Sequence, residues 1–319
     1  LKARTATLAT LTRAAGDDDA EQIDQVLATF FPGPASYTGD DVVELSAHGS
    51  PVVLEAIVEA AMRSGARLAE PGEFTFRGFL NGRIDLVQAE AVADLVDSVT
   101  PLQARLAYDQ LEGTLSTEIR AIDTTLFDLI ASLEASLDFP EEGYHFVDRQ
   151  KTVTAIADIS ARISGLLAGG RRGRVIREGR QVVIIGSPNT GKSSIFNGLV
   201  GAGRAIVTAV AGTTRDLVTE TIDVRGVPVR LVDTAGIRET GDAVEVEGVL
   251  RARSALAVAD LSLLVFDRSR PFDSSDVQLL TETSSCRRLL VVNKVDLPLV
   301  WASNPFTAVS SRIVEASTT

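Results

Sequence analysis

Four short apolar runs recur in the second half of the chain, with helical segments between them. They are QVVII at 181–185, VPVRLVD at 227–233, LSLLVFD at 261–267 and RLLVVN at 288–293. Apolar runs without polar alternation are typical of strands buried on both faces of a mainly parallel sheet. The pattern predicts a doubly wound α/β domain, with helices on both faces of the sheet, over residues 179–319.

A helical period dominates the residues from about 83 to 139, and Pro140 ends it. Apolar side chains recur there at three- and four-residue steps: Leu111, Leu115, Ile119, Ile122, Leu126, Leu129, Ile130 and Leu133. A second helix is predicted over about 151–168, closed by Gly169 and Gly170. Such stripes usually form the core of a helix bundle, so residues 83–178 are assigned to a helical domain.

Strand and helix signals alternate in the first 82 residues. VVEL at 42–45 predicts a short strand, and a helix follows with Ser50 as N-cap, Pro51 at its first position and Gly65 after its end. Glycine and proline interrupt the run at 70–86 before the next helical pattern begins. The sequence therefore predicts a small α+β domain over residues 1–82.

The composition argues against some classes of binding partner. The formal net charge of −12 argues against a broad binding surface for nucleic acid, and the basic cluster at 169–180 is interpreted as a solvated linker. A single cysteine, no secretory leader and no membrane-spanning apolar run favour a cytoplasmic protein without a membrane partner. Since the chain begins at Leu1 and its last residues match no terminal element, we expect a fragment that lacks both natural termini.

A glycine-rich loop follows the first apolar strand of the α/β domain. Its sequence, GSPNTGKS at 186–193, has the spacing of a P-loop between a strand and a helix. Backbone N–H groups and the helix N-terminus of such a loop bind phosphates. Lys192 is predicted to reach the β- and γ-phosphates, and Ser193 to ligate Mg²⁺.

Three further motifs select the nucleotide and the metal. Asp296 in NKVD can accept from guanine N1–H and N2–H₂, two donors that adenine lacks, so GTP is predicted. Asp233 in DTAG is the acid that holds Mg²⁺ through water. Thr213 or Thr214 in AGTTRD can close over the γ-phosphate, and Thr214 is preferred as the Mg²⁺ ligand.

Hydrolysis needs a device other than the glutamine of Ras-like enzymes, because Ile237 follows DTAG. Asn189 in the P-loop offers one, since its side-chain oxygen could bind a monovalent cation beside the phosphates. The alternative is that Asn189 is merely a residue that tolerates the turn.

These motifs, with PGEFTFRGFLNGRIDLVQAEAVADL upstream of them, together resemble the tRNA modification GTPase family MnmE, also called TrmE. The resemblance covers nearly all of residues 1–312. It implies a folate-binding N-terminal domain that forms a homodimer, a helical domain, and a G domain inserted into the helical one. The implied function is GTP hydrolysis coupled to the addition of an aminomethyl or carboxymethylaminomethyl group at C5 of the wobble uridine in certain tRNAs. The implied partners are GTP or GDP, tRNA and the flavoprotein MnmG, in a heterotetramer.

The resemblance also implies K⁺ as a cofactor that drives G-domain dimerisation, beside Mg²⁺ and a formyl- or methylene-tetrahydrofolate. Potassium ligands are carried over to Asn189, Thr208, Val210 and Thr213. Glu245 corresponds to the glutamate that orients the attacking water, with Glu239, Asp242 and Glu247 as alternatives, and Lys192 and Thr214 complete the catalytic set. The predicted GTP-binding residues are Asn189, Thr190, Gly191, Lys192, Ser193, Ser194, Thr208, Ala209, Val210, Ala211, Gly212, Thr213, Thr214, Asp233, Thr234, Ala235, Gly236, Asn293, Lys294, Asp296, Ser310, Ser311 and Arg312.

For the folate site, the resemblance points to Glu44 and to Arg83, which stands where many family members have lysine. His48 is either a pocket residue or a structural histidine, and the structural interpretation is preferred. Two other functions are open alternatives to the modification GTPase. One is a GTP-dependent switch in ribosome assembly or RNA binding, and the other is a folate-binding scaffold with a silent G domain.

Overall fold

The structure is a computed structural model, and it describes residues 1–13, 21–138, 148–205, 218–233, 256–301, 305–307 and 312–317. The chain forms two compact units. Unit 1 comprises Leu1–Ala93 and Ala107–Thr124, and unit 2 comprises Asp94–Leu106 and Thr125–Thr319. Among the described residues, no helix has both the length and the apolar character required to cross a bilayer.

Unit 1 begins with a three-stranded antiparallel sheet. Its strands are β1 (Thr7–Arg13), β2 (Glu21–Phe31) and β3 (Val42–Ser46), in the order β1-β2-β3. Side chains alternate along β2, with Val26 and Ala28 buried on one face and Leu27 exposed on the other. Helices α1 (Pro51–Arg63) and α2 (Glu73–Leu80) follow, and α1 packs against β1 and β2. The predicted strand at 42–45 and the predicted helix after Ser50 are confirmed.

Glu73, in the first turn of α2, is the centre of an ion-pair network. Its carboxylate accepts hydrogen bonds from Arg67 and Arg77 and from the backbone N–H of Glu70. The hydrogen bond from Arg67 is the largest of the effects that lower the pKa of Glu73 from 4.5 to about 2.

The pH dependence of unit 1 follows from this lowered pKa. We expect the stability that Glu73 contributes to be complete above its unfolded pKa of 4.5 and to be lost as the pH falls toward about 2. The Glu73→Gln variant removes this dependence. An NMR titration of the Glu73 carboxyl carbon checks the shift, and a midpoint near 4.5 would contradict the network.

Four helices follow α2 along the chain. They are α3 (Leu86–Asp97), α4 (Pro101–Leu111), α5 (Thr114–Asp138) and α6 (Arg149–Glu178). The predicted helical stretch from 83 to 139 is thus confirmed, with breaks between these helices.

The prediction that Gly169 and Gly170 close the second helix is wrong, and so is the prediction of a linker at 169–180. Helix α6 continues through both glycines, which each cost about 1 kcal/mol relative to alanine, into an arginine-rich segment that ends at Glu178. Its C-cap is Gly179, whose φ of 73° suits glycine and where a Cβ would lie 2.5 Å from the Pro228 carbonyl oxygen.

Unit 2 contains a seven-stranded sheet in the order β10-β9-β8-β4-β7-β6-β5. Its strands are β4 (Arg180–Ile185), β5 (Arg204–Ala205), β6 (Val218–Val224), β7 (Val227–Asp233), β8 (Leu261–Asp267), β9 (Arg288–Asn293) and β10 (Arg312–Glu315). Strand β4 pairs in parallel with β7 and β8, and β6 is antiparallel to β7. Helices α7 (Lys192–Ala202) and α8 (Ser274–Glu282) complete the described part of the domain.

The core of unit 2 has two layers, one on each face of the sheet. Ile184 packs with Ile195 and Phe196 of α7 on one face, whereas Val183 packs in the layer with Leu279 of α8 on the other. Because alternate residues of β4 enter opposite layers, both faces of the strand are apolar. The predicted doubly wound, mainly parallel α/β fold is confirmed.

The turn between β6 and β7 is held by residues from the segment 94–106. Thr100 Oγ1 donates to the Gly226 carbonyl oxygen at 2.8 Å, and a Cβ at Gly226 would lie 2.7 Å from Leu102 Cβ. Arg177 Nε also pairs with Asp94 at 2.9 Å. These contacts place residues 94–106 with the sheet of unit 2, and the division into domains at 82 and 178 stays a prediction.

Candidate nucleotide-binding site

The loop between β4 and α7 wraps the N-terminus of α7. Gly186 lies so close to the Val265 carbonyl oxygen that it leaves no room for a Cβ, and Gly191 has a φ of 91° at the N-cap position. Thr190 is fully buried, and its Oγ1 donates to the Ser187 carbonyl oxygen at 2.9 Å. The backbone at 186–191 is therefore fixed in the shape of a phosphate-binding loop before a helix.

Lys192 is the first residue of α7 and is largely buried. Its Nζ donates to the Ser187 carbonyl oxygen at 2.9 Å. Burial lowers the pKa of the Lys192 amine, and the nearby charge of Asp233 opposes this shift in part. An amine in this position lacks full compensation for its charge, so an anionic ligand would stabilise it.

Ser193 and Asp233 meet where the P-loop helix faces the end of β7. Ser193 Oγ donates to Asp233 Oδ2 at 3.0 Å, and Asp233 is 3% exposed. A hydroxyl and a carboxylate side by side are the hard oxygen donors that Mg²⁺ prefers when nucleotide phosphates and waters supply its remaining ligands. The two residues therefore fit a magnesium site.

The NKVD motif at 293–296 contacts the P-loop directly. Asn293 Nδ2 donates to the Thr190 carbonyl oxygen at 2.9 Å, and Lys294 Nζ donates to the Asn189 carbonyl oxygen at 3.0 Å. Among the described residues, Asn293 Oδ1 has no hydrogen-bond partner although it is buried. These contacts fix the motif that would bind the base against the loop that would bind the phosphates.

Asp267 holds the lysine of this motif and was not predicted. Its Oδ2 accepts from Lys294 Nζ at 2.5 Å. Burial disfavours ionisation of Asp267, but hydrogen bonds from Lys294 and Ser269 outweigh it, and the pKa of Asp267 is lowered. The sequence did contain a signal, because Asp267 ends the apolar strand β8 as Asp233 ends β7.

Asp296, the predicted guanine acceptor, lies on the exposed side of the same motif. Ser317 Oγ donates to Asp296 Oδ1 at 2.7 Å, which orients the carboxylate from the segment after β10. Arg312, the last residue of the predicted GTP-binding set, is exposed at the start of β10 and therefore belongs to a strand. Ser194 is exposed on α7.

Asn189, the predicted potassium ligand, has a φ of 60° and is exposed. Its side chain forms no hydrogen bond with another residue in the described part of the chain. Asparagine is one of the few side chains that adopts the left-handed region readily, so the turn alone accounts for its presence. Its free side-chain oxygen is equally consistent with a ligand role.

The remaining predicted residues of the nucleotide site lie outside the described residues. They are Thr208, Ala209, Val210, Ala211, Gly212, Thr213, Thr214, Thr234, Ala235, Gly236, Glu245, Ser310 and Ser311, and also the alternatives Glu239, Asp242 and Glu247.

The predicted folate residues lie in unit 1. Glu44 is exposed on β3, and Arg83 Nε donates to the Ser36 carbonyl oxygen at 3.1 Å. Within the described residues, no hydrogen bond or ion pair joins Glu44 to Arg83. His48 Nδ1 lies 2.9 Å from Asp24 Oδ1, and its backbone N–H also binds Asp24, which lowers the pKa of that carboxyl. These contacts support the structural interpretation of His48.

A phosphate-binding loop at a helix N-terminus, a serine hydroxyl paired with the buried Asp233 carboxylate for Mg²⁺ and an Asn-Lys-x-Asp motif bonded to that loop define a P-loop protein of the guanine-nucleotide class. Two family models match the chain: the N-terminus of the GTP-binding protein TrmE over residues 1–83, and the MnmE helical domain over residues 86–299. The chain therefore belongs to the MnmE family, and the resemblance drawn from its motifs is confirmed.

Curated relatives agree with the family models. The chain is 48% identical over 281 residues to the tRNA modification GTPase MnmE of Koribacter versatilis, covering 88% of this chain and 62% of the relative. It is 46% identical over 281 residues to the protein of the same name from Aquifex aeolicus, covering 88% and 63%. The chain spans less than two thirds of the length of these relatives.

The matches among solved structures are more distant. A variant of Aquifex aeolicus Era bound to GDP and AlF4⁻ is 23% identical, with a TM-score of 0.32 and coverage of 44% of this chain and 51% of that one. The G domain of the T. maritima FeoB iron transporter is also 23% identical, with a TM-score of 0.32 and coverage of 44% and 87%.

Proposed function

We propose that the chain binds and hydrolyses GTP and serves as the GTPase of a tRNA modification reaction in the cytoplasm. The observation that carries this proposal is the direct attachment of the guanine-type motif to the P-loop, through Asn293 to Thr190 and Lys294 to Asn189. In this proposal the NKVD motif binds the guanine base and the P-loop binds the phosphates. The hydrogen bonds between the two motifs hold them together so that both can bind one guanine nucleotide.

Each residue of the site has a role in this proposal. Lys192 binds the β- and γ-phosphates and stabilises the negative charge that develops on them. Ser193 and Asp233 hold Mg²⁺, which neutralises phosphate charge when it is bound, with Thr214 as a further ligand. Glu245 orients the attacking water, because Ile237 cannot do so.

Potassium activation is the second part of the proposal. Asn189 and the loop residues Thr208, Val210 and Thr213 would bind K⁺, whose charge replaces that of an arginine finger. Two G domains would face each other across this cation. The exposed side-chain oxygen of Asn189 on the P-loop supports this role.

Dimerisation and folate binding through the N-terminal domain form the third part. Leu8 and Leu27 pair across β1 and β2 on the open sheet face, and they are 66% and 48% exposed. Glu44 lies on the same face, because it is two residues from Ser46, which pairs with Leu27. An apolar surface beside an acidic acceptor supports a folate site next to a dimer interface.

The partners of the modification reaction complete the proposal. MnmG would supply the flavin chemistry, and tRNA would bind mainly through that partner, since the chain carries a net charge of −12. The product would be the aminomethyl or carboxymethylaminomethyl group at C5 of the wobble uridine.

The test compares GTP turnover in K⁺ and in Na⁺ at matched ionic strength, over a range of protein concentrations. We expect turnover to be at least about tenfold faster in K⁺ and to rise with protein concentration, because the cation and the second G domain complete the site. The control variant is Asn189→Gly, which keeps the left-handed backbone and removes the side-chain oxygen.

The outcomes distinguish the parts of the proposal. In the Asn189→Gly variant, the difference between K⁺ and Na⁺ should disappear. Equal turnover of the unmodified chain in both salts would reject potassium activation and favour a GTP-dependent RNA-binding switch. No turnover in either salt, with intact folate binding in equilibrium dialysis, would favour the folate-binding scaffold.

A further inference from the structure

The first turn of α8 reaches back to the P-loop through a buried carboxylate. Asp276 is 2% exposed, and its Oδ1 accepts a hydrogen bond from Ser187 Oγ at 2.9 Å. Ser187 is the second residue of the phosphate-binding loop, directly after Gly186. A side chain distant in sequence is therefore bonded to the loop that would hold the phosphates.

Arg270 fixes the position of the Asp276 carboxylate. Its Nη2 lies 2.7 Å from Oδ1 and 2.9 Å from Oδ2 of Asp276, which compensates the buried charge. The Arg270 carbonyl oxygen accepts from Trp301 Nε1 at 2.9 Å, and Trp301 packs edge-on against Phe272 and Phe306. The acceptor of the Ser187 hydroxyl is thus anchored in the aromatic core beneath α8.

Ser187 connects Asp276 to Lys192 through hydrogen bonds. Its carbonyl oxygen accepts from Lys192 Nζ at 2.9 Å and from Thr190 Oγ1 at 2.9 Å. The side chain and the carbonyl of one residue therefore connect the buried carboxylate to the amine that would bind the phosphates. The charge of Asp233 also acts on this amine, and the Ser187 carbonyl oxygen is the acceptor that fixes its direction.

We propose that Asp276 is a positioning residue for Lys192, acting through Ser187, and so sets the affinity of the P-loop for the nucleotide phosphates. This inference rests on the proposed GTP-binding function. Asp276 touches no part of the nucleotide and acts only by holding the carbonyl group that orients the lysine.

The alternative is that Asp276 serves only to cap α8. A variant of its neighbour Asp273, which also caps this helix, distinguishes capping from the positioning of Lys192. Asp273 Oδ1 accepts from the N–H groups of Ser275 and Asp276, and its Oδ2 accepts from Arg270 Nη1 at 2.6 Å. Both acids thus belong to the same capping box and bind the same arginine. Of the two acids, only Asp276 accepts a hydrogen bond directly from Ser187, whereas Asp273 is linked to it through Ser275, whose Oγ donates to Asp273 Oδ1 at 2.5 Å and lies 3.1 Å from Ser187 Oγ. Asp273→Asn is therefore a control that disturbs the cap and leaves the direct hydrogen bond to Ser187 in place.

The experiment measures the affinity and release rate of a fluorescent GDP analogue on the full chain with Mg²⁺. We expect Ser187→Ala and Asp276→Asn each to weaken binding about tenfold, which corresponds to the loss of one hydrogen bond to a charged group. The double variant should be no weaker than either single variant, because both changes break the same connection. Asp273→Asn should stay within about twofold of the unmodified chain.

A second double-mutant cycle tests whether Asp276 changes nucleotide affinity through Lys192. In a Lys192→Met background, Asp276→Asn should cause no further loss of affinity, since there is no amine left to orient. The sole tryptophan, Trp301, lies in the core of this domain, so its fluorescence follows unfolding of each variant. Ser187→Ala removes only a hydroxyl and leaves the Arg270 pair intact, so it provides a folded test even where Asp276→Asn melts early.

Each remaining outcome overturns the inference. Unchanged affinity in Ser187→Ala, beside normal binding by the unmodified chain, rejects the positioning role and leaves GTP binding intact. Additive losses in the double variant, or an equal loss in Asp273→Asn, mean that Asp276 acts through the stability of α8. If the unmodified chain binds no guanine nucleotide, the proposed function falls together with the inference.

Discussion

Replacement of Lys192 by methionine is expected to lower GTP affinity and turnover by about 10²- to 10³-fold, the loss typical of one removed charge-stabilising donor. The Lys192 amine is held at the N-terminus of α7 by the Ser187 carbonyl oxygen, beside the Ser193–Asp233 pair. Methionine keeps most of the apolar stem of the side chain and removes the ammonium group, with its charge and its hydrogen-bond donors. The change therefore isolates the contribution of the amine to phosphate binding.

The stability of the same variant should move in the opposite direction. Burial lowers the pKa of Lys192, so the unfolded chain binds the proton more readily than the folded chain does. The stability of the native chain should rise as the pH increases through the lowered pKa toward the ordinary value of 10.5. Lys192→Met should lose this dependence and be at least as stable at neutral pH.

Isothermal titration with GDP and thermal melting at several pH values check both expectations. The exposed Lys151→Ala variant on α6 is the control, because its side chain is 86% exposed. Normal nucleotide affinity in Lys192→Met would show that the loop at 186–191 is not a phosphate-binding loop. A loss of stability equal to the loss of binding would show that the amine supports the fold instead.

The central strands β4, β7, β8 and β9 could be predicted because each contains an apolar run, and β7, β8 and β9 end at Asp233, Asp267 and Asn293. Strand β2 could not, since its sequence EQIDQVLATFF interleaves acidic and amide side chains with apolar ones. Helix α6 was predicted too short for a different reason. Glycine is read as a stop signal, yet Gly169 and Gly170 lie within α6, and their cost is small against the length of the helix.

In the candidate site as well, features formed by neighbouring residues in the sequence could be predicted, whereas contacts between distant residues could not. The P-loop and NKVD motifs could each be predicted, because the residues of each motif lie close together in the sequence at the end of a strand, and their spacing there indicates what they bind. The contacts of Asp276 with Ser187 and of Asp267 with Lys294 could not, because they join residues that only the folded sheet brings together. For Asp267, its place at the end of β8 was visible in the sequence, but its partner was not. The segment 94–106 was assigned to the helical domain for this reason also, since the hydrogen bond from Thr100 to Gly226 has no counterpart in the sequence pattern.

Replacement of Asp296 by asparagine is expected to reverse the base preference of the site. The carboxylate can accept from guanine N1–H and N2–H₂, whereas an amide presents one acceptor and one donor, so a donor would face a donor. We expect affinity for GDP to fall by on the order of 10²-fold, the effect of losing a hydrogen bond to a charged group and leaving a donor unpaired. Xanthine carries an oxygen where guanine carries its amino group, so affinity for xanthosine diphosphate should rise.

Competition of GDP and xanthosine diphosphate against a fluorescent GDP analogue measures this reversal. Ser317→Ala is the graded control, because it removes the hydroxyl that donates to Asp296 Oδ1 at 2.7 Å and leaves the carboxylate in place. That variant should bind GDP a few-fold more weakly and still prefer guanine. If Asp296→Asn keeps its affinity for GDP, the carboxylate does not face the base, and the contacts of Asn293 and Lys294 with the P-loop would then serve the fold alone.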